Sequence, residues 1–187
     1  MIVMALPDIG PANEADPDIR LAQKGDRRAA GRLMRRLLPR VRNLVRYLVR
    51  GDSEVDDMAQ LSLIAILKGL KTYRAEGSFD AWADRITVRE TLRYAKKRRV
   101  ERQRRDEVVP TLRVVRGDGE RPDRYLDRRE LARLLDGLPD DQRHALVLHH
   151  ALGMSVPEVA EELGVPFDTA KSRLRLAKNK LRQEGER

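Results

Sequence analysis

The 187-residue chain contains no cysteine, so it can form no disulfide and no thiolate metal site. Aromatic residues account for only 4% of it, which disfavours a large β core. No apolar run approaches the roughly 20 residues that a membrane-spanning helix needs, so we expect no membrane insertion. The first 19 residues contain no Lys or Arg, whereas a secretory signal starts with positive charge. These absences predict a cytoplasmic protein.

Residues that could carry chemistry are few. The only histidines are His144, His149 and His150, and their spacing on one predicted helix does not bring them into phase for a shared metal. The chain has no glycine-rich phosphate loop, and Ser172 lies between cations rather than beside a base. We therefore expect no catalytic residue, no metal, no cofactor and no small-molecule substrate. An enzyme that uses His144 and His149 on a nucleic-acid substrate is a distant alternative.

Positive charge is in excess, with 39 Lys and Arg against 30 Asp and Glu and a pI near 10.2. Such a balance suits a polyanionic partner, either nucleic acid or an acidic membrane surface. The excess is densest between Arg93 and Arg105, in a predicted helix that begins after Ser78. We interpret this run as a nucleic-acid contact, with lipid-surface binding as the alternative.

The segment from Ser155 to Arg182 predicts a helix-turn-helix. Ser155 and Glu158 have the spacing of a capping box, and Gly164 supplies the left-handed residue that ends a helix. The second helix has small and aliphatic residues on one side and cations on its other faces. A basic second helix is what docking in the DNA major groove needs. The alternative is an ordinary helical hairpin with a solvated charged face.

Helical periodicity in the rest of the chain predicts an all-α protein with two small helical domains joined by an irregular linker. The predicted segments are an irregular acidic extension at 1–18, a helical bundle at 19–105, the linker at 106–122 and a four-helix domain with the helix-turn-helix at 123–187. Within the bundle, we expect Asp26 to cap a helix and Pro39 to kink or break it. We expect Ser53 to cap the next helix, with Asp56 completing a capping box.

The stretch from Met58 to Leu67 is apolar on nearly every face of a predicted helix. A helix of this kind cannot show one wet face, so both of its sides must be covered. We expect the bundle core to cover one side. The other side is either further core or an interface with a partner protein.

Four stretches in order carry a family resemblance. They are LPRVRNLVRYL at 38–48; DDMAQ at 56–60 with the apolar run after it; FDAW at 79–82 with Arg85 and Ile86; and LPDDQR at 138–143 with VPFDTAKSRL at 165–174. Together they resemble the second and fourth conserved regions of a bacterial RNA polymerase sigma factor of the extracytoplasmic-function (ECF) group. The chain departs from that pattern at Leu61, where an acidic residue is usual, and at Arg89, where asparagine is common.

The resemblance implies a protein without chemistry of its own that binds core RNA polymerase, directs it to promoter DNA and helps to open the duplex. It places polymerase contacts on the apolar helix, at Asp57, Gln60, Leu61, Ile64, Leu67 and Lys68. It places contacts with the minus-ten region at Tyr73, Ser78, Arg85, Arg89, Arg93, Lys96 and Lys97. It places contacts with the upstream, minus-thirty-five element at Thr169, Lys171, Ser172, Arg173, Arg175 and Lys178. It also implies control by an anti-sigma factor and association with the nucleoid when active.

An autonomous helix-turn-helix repressor or activator is the nearest rival function. Such a protein would bind its operator unaided. The apolar helix after Asp57 argues against it, because a repressor of that kind has no use for a polymerase-docking helix.

Overall fold

A computed structural model describes residues 16–105 and 122–185, and all regular secondary structure in these two ranges is helical. They form two compact units, one built from helices α1 to α4 and one from helices α5 to α8. The prediction of an all-α fold with two helical domains is confirmed. Residues 1–15 of the predicted extension and residues 106–121 of the predicted linker lie outside the described ranges. The helices are α1 (Pro17–Gln23), α2 (Arg27–Leu48), α3 (Val55–Gly69), α4 (Phe79–Arg105), α5 (Pro122–Asp136), α6 (Asp140–His150), α7 (Val156–Leu163) and α8 (Phe167–Gly185), with a 3₁₀ turn at Leu70–Thr72.

Aspartate caps open the first two helices. The Asp26 carboxylate accepts hydrogen bonds from the backbone N–H groups of Arg28 and Ala29 at 2.8 and 3.0 Å, so the predicted cap of α2 is confirmed. Asp16 caps α1 in the same way, through the N–H of Asp18 at 2.9 Å. Because of that cap, helix begins at Pro17, inside the segment that the sequence assigned to the irregular extension.

The expected break at Pro39 is wrong, since α2 continues as one α-helix from Arg27 to Leu48. Proline removes one backbone donor and normally interrupts a helix. Here Pro39 lies on the exposed side, where water can solvate the carbonyl that loses its partner. The opposite side buries an apolar stripe whose members are each at most 1% exposed, namely Leu33, Leu37, Val41, Leu44 and Leu48. Burial of this stripe outweighs the local cost of the proline.

The expected capping box at Ser53 is also wrong. Helix α3 starts at Val55, with Glu54 in the cap position and no side-chain capping bond. Ser53 therefore lies one residue too early to cap. Asp56 instead pairs with Arg42 of α2 at 2.7 Å, and Glu54 pairs with Arg98 near the end of α4. Contacts between distant helices have taken the place of the local cap.

Arginines on α2 connect this helix to the other segments of the N-terminal unit. Each of five of them pairs with an aspartate on another segment, and together they reach α1, α3, α4 and the turn before α3. The pairs are Arg32–Asp18, Arg36–Asp16, Arg40–Asp84, Arg42–Asp56 and Arg46–Asp52. The sequence analysis had not paired any of these arginines.

A buried arginine organises the start of the C-terminal unit. Arg143 of α6 is 0% exposed. Its Nε donates to the carbonyl of Leu135 at 3.0 Å and its Nη2 donates to the carbonyl of Leu138 at 3.3 Å. Leu135 lies in the last turn of α5 and Leu138 in the turn that follows it, where a positive charge near a helix C-terminus is favourable. Arg143 therefore fixes the turn between α5 and α6.

Candidate functional site

Helix α3 has one buried and one exposed apolar side. Met58, Ala59 and Ile66 are at most 2% exposed and belong to the core of the N-terminal unit. Leu61, Ile64 and Leu67 are 50%, 41% and 45% exposed, and we call these three residues the α3 outer stripe. The core thus covers only half of this helix, which leaves an apolar surface on a water-facing side.

All six residues predicted to contact polymerase share that exposed side. Asp57, Gln60 and Lys68 are exposed like the α3 outer stripe itself. Positions 57, 60, 61, 64, 67 and 68 follow the three- and four-residue spacing of one helix face. The result is an apolar centre with polar and charged residues around it.

The loop between Tyr73 and Ser78 is built on an aromatic cluster. The ring of Tyr73 lies 5.1 Å from that of Phe79 and 5.4 Å from that of Trp82, and Tyr73 is only 7% exposed. Its hydroxyl donates to the carbonyl of Gly77 at 2.6 Å. Tyr73, predicted to contact DNA, therefore supports the loop from inside instead of presenting its ring at the surface. Ser78 is exposed and accepts the N–H of Ala81 at 3.2 Å, as a helix cap should.

Gln23 of α1 holds the start of this loop. Its side-chain amide donates to the carbonyls of Leu70 and Tyr73 at 3.1 and 2.9 Å, across almost fifty residues of sequence. Ala75, within the loop, has a left-handed backbone with φ of 59°. A non-glycine residue in that conformation is held there by its surroundings. The sequence analysis missed Gln23, because nothing local marks a glutamine whose partners are distant carbonyls.

The cations of α4 predicted to contact DNA form one exposed face. Arg85, Arg89, Arg93, Lys96 and Lys97 are all exposed, at spacings that keep them within about a third of the helix circumference. Arg93 also pairs with Glu90 of the same helix at 2.9 Å. The structure therefore brings these five residues together on one strongly positive surface.

The opposite face of α4 is anchored in the core by a buried ion pair. Arg40 of α2 contacts both carboxylate oxygens of Asp84 at 2.7–3.2 Å, and Asp84 is 4% exposed. Burial raises the pKa of Asp84, and the hydrogen bonds and charge of Arg40 oppose that rise. Two-point contact with a planar guanidinium fixes the orientation of α4 as well as its position.

The helix-turn-helix has the predicted local features. Ser155 and Glu158 form a reciprocal capping box at the start of α7, and the backbone of Gly164 is left-handed, with φ of 63°. Ala160 of α7 and Ala170 of α8 are 7% and 0% exposed. Their small size lets the two helices approach each other closely.

The residues of α8 that were predicted to contact DNA do not all lie on one face of the helix. Lys171, Arg175 and Lys178 are exposed and follow one another every three or four residues, so they share a face, and Thr169 and Ser172 are half-buried. Arg173 lies about 200° around the helix from Lys171. Its guanidinium pairs with Asp141 of α6 at 3.2 Å. Arg173 therefore fixes α8 to α6 and is not grouped with the exposed cations.

Two exposed apolar residues on α8 were missed by the sequence analysis. Phe167 is 48% exposed and Leu176 is 46% exposed. The signal for Leu176 was present in the sequence, because a helical projection puts it outside the apolar side formed by Ala170, Leu174 and Ala177.

His149 and His150 lie at the C-terminal end of α6. Nδ1 of His149 lies 2.7 Å from the carbonyl oxygen of Met154, and the His149 and His150 rings are 4.7 Å apart. Burial and the nearby charges of His149 and Lys178 lower the pKa of His150. Within residues 16–105 and 122–185, no group of three or more His, Asp or Glu side chains could hold a metal ion. None of the helices in those ranges is long and apolar enough to cross a membrane.

One helical unit thus exposes an apolar helix face, and the other carries a helix-turn-helix with exposed cations. The model of the Sigma-70 region 2 family matches residues 33–101, and that of Sigma-70, region 4 matches residues 128–181. The ECF RNA polymerase sigma-E factor of Haemophilus influenzae is 30% identical over 81% of this chain and 85% of that protein. The ECF sigma-E factor of Salmonella typhimurium is 31% identical over 81% and 84%.

The chain belongs to the ECF RNA polymerase sigma factors. It is therefore a transcription factor that works with core RNA polymerase at promoter DNA, as the sequence resemblance implied. Its fold is similar to that of the sigma factor RpoE, solved in complex with the anti-sigma factor NepR from Bartonella quintana. That likeness has a TM-score of 0.59 and 24% identity and covers 82% of this chain and 94% of the other.

Proposed function

We propose that this sigma factor docks on core RNA polymerase through α3. The observation that carries the proposal is the α3 outer stripe, Leu61, Ile64 and Leu67, exposed beside Asp57, Gln60 and Lys68. An apolar patch with a polar rim is typical of a protein–protein interface. The apolar residues supply the free energy of binding, and the flanking charges orient the partner.

The minus-ten region of the promoter contacts α4 and the loop before it. Arg85, Arg89, Arg93, Lys96 and Lys97 are placed to bind phosphates along one side of the duplex. Ser78 lies at the end of the loop nearest this face. Tyr73 and Gln23 act from inside by fixing the loop, which matters because extruding a base requires a binding surface that is already in place.

The upstream element is bound by α8 in the major groove. Lys171, Arg175 and Lys178 contact DNA from the exposed face, Ser172 contributes from its edge, and Thr169 contributes from the first turn of the helix. Arg173 acts by positioning the helix through Asp141. This division assigns five of the six residues predicted from the sequence to direct contact and one to support.

Control by an anti-sigma factor follows from the same surface. An inhibitor that covered the α3 outer stripe would exclude core polymerase by occupying its docking site. The RpoE–NepR complex supports this proposal as an example of such a partner. We further propose that the protein acts in the cytoplasm, associates with the nucleoid when active and catalyses no reaction itself.

The test is transcription from a genomic promoter library by core RNA polymerase with and without the purified protein. We expect new start sites that share two spaced elements and that disappear with Ile64→Glu. Arg27→Glu, a charge change at an exposed position outside all the proposed contacts, should leave them in place. If no start depended on the protein while it bound DNA specifically without polymerase, the repressor function would replace this one.

A further inference from the structure

Leu176 is an exposed aliphatic residue on the outer side of α8. The side of α8 that packs into the C-terminal unit is formed by Ala170, Leu174 and Ala177, which are 0–5% exposed. At about 100° per residue, Leu176 points roughly 130° away from the middle of that side. Its 46% exposure agrees with this geometry. The core of the unit therefore does not account for a large apolar side chain at this position.

The neighbours of Leu176 on the outer side are polar or positive. Ser172 lies one turn before it and Asn179 lies nearly one turn after it, while Arg175 is adjacent in sequence. Arg173 and Lys180, which also lie within about one turn of Leu176, are cations whose charged groups contact Asp141 and the carbonyl of Gly137. This charge favours DNA over an apolar protein partner as the surface that covers Leu176.

An aliphatic side chain in the major groove has one apolar target. Among the base edges in that groove, only thymine presents a methyl group, and the other recognition atoms are hydrogen-bond donors and acceptors. We propose that Leu176 contacts the 5-methyl group of a thymine in the upstream promoter element and selects for thymine at that position. The proposal rests on the proposed docking of α8 in the major groove.

Phe167, the other exposed apolar residue of α8, does not fill the same role. Nine residues separate it from Leu176, which puts the two side chains about 180° apart around the helix. They cannot face the same groove floor. Phe167 is also the first residue of α8, whereas Leu176 lies between cations that can hold the flanking phosphates.

Deoxyuridine tests the contact at the level of one methyl group, because it differs from thymidine only by that group. Each thymine of an upstream element found in the promoter library is replaced in turn, and the affinity of the reconstituted holoenzyme is measured. We expect one position at which the replacement weakens binding about three- to fivefold, the value of one buried methyl group. Leu176→Ala should weaken binding to the thymine DNA by a similar or larger factor and should be insensitive to deoxyuridine at that position.

The control is Lys178→Ala, which should bind all promoters more weakly but keep the full effect of deoxyuridine. The proposal is overturned if no thymine position responds in the natural protein, if Leu176→Ala responds as strongly as the natural protein, or if the upstream element contains no thymine. Each of these results leaves the sigma function intact, since the holoenzyme would still select promoters. A holoenzyme that selects no promoter would instead overturn the proposed function itself.

Discussion

Truncation of the α3 outer stripe should weaken polymerase binding without unfolding the protein. Leu61, Ile64 and Leu67 are 50%, 41% and 45% exposed, so a partner can still bury a little less than half of each side chain. Full burial of one such side chain contributes about 1.5–3 kcal/mol, which gives about 2–4 kcal/mol for the triple change to alanine. We therefore expect the dissociation constant for core RNA polymerase to rise by about 30- to 800-fold.

Ile66 provides a matched control on the same helix, because it is 0% exposed and lies two residues from Ile64. Ile66→Val should cost about 0.5–1.5 kcal/mol of unfolding free energy. In a unit of this size that lowers Tm by several degrees, since about 4–8 °C corresponds to each kcal/mol. Its affinity for polymerase should stay unchanged at temperatures where the unit is folded. The triple alanine variant should instead have a lower affinity for polymerase and an unchanged Tm.

Two measurements separate these outcomes. Thermal unfolding can be followed by the fluorescence of Trp82, the only tryptophan, which lies in the N-terminal unit. Polymerase affinity can be measured by titrating a labelled protein with core enzyme. An unchanged dissociation constant for the triple variant would refute docking through this stripe, and the exposed apolar residues of α3 would then need another partner.

Three further predictions concern the C-terminal unit. Arg143→Ala should destabilise it by about 3 kcal/mol, because the carbonyls of Leu135 and Leu138 lose a charged donor, and faster hydrogen exchange in α6 and α8 should report the loss. Lys178→Ala should weaken binding similarly on all promoters and should reduce by about one the slope of log binding constant against log salt concentration. Lys180→Ala removes an equal charge, but from a side chain that contacts the carbonyl of Gly137, and should change this slope less. Arg173→Ala and Asp141→Ala should lower the affinity for every promoter by similar factors, because the two residues form one ion pair. A changed promoter preference for Arg173→Ala alone would instead support the direct contact with the upstream element that the sequence resemblance implies.

Features set by neighbouring residues could be predicted from the sequence. The caps at Asp26 and Ser155 and the left-handed Gly164 depend on side chains and backbone within one helical turn, and all three are present as expected. The apolar character of both sides of α3 could also be read from the sequence, but the choice between further core and an interface for the second side could not, and the structure leaves that side exposed. Periodicity and capping together were enough to give the fold class.

Features set by distant residues could not be predicted. Pro39 stays inside α2 because an apolar stripe on the far side packs against other helices, and local rules carry no information on that burial. Tyr73 was expected at the DNA surface, but the aromatic cluster with Phe79 and Trp82 holds it inside. Arg173 was expected to contact bases, but Asp141, thirty-two positions earlier on another helix, pairs with it. In each case a tertiary contact sets where the side chain lies.

The same reasoning changes what the net charge of +9 means for DNA binding. Arginines are abundant on α2, but five of them are paired with aspartates of other segments and serve to hold α1, α3 and α4 in place. A paired charge produces little field beyond its partner, so α2 contributes less to the attraction of phosphates than its composition suggests. The proposed function therefore assigns the contacts with the two promoter elements to the exposed cations of α4 and α8, which lie within the Sigma-70 region 2 and region 4 matches.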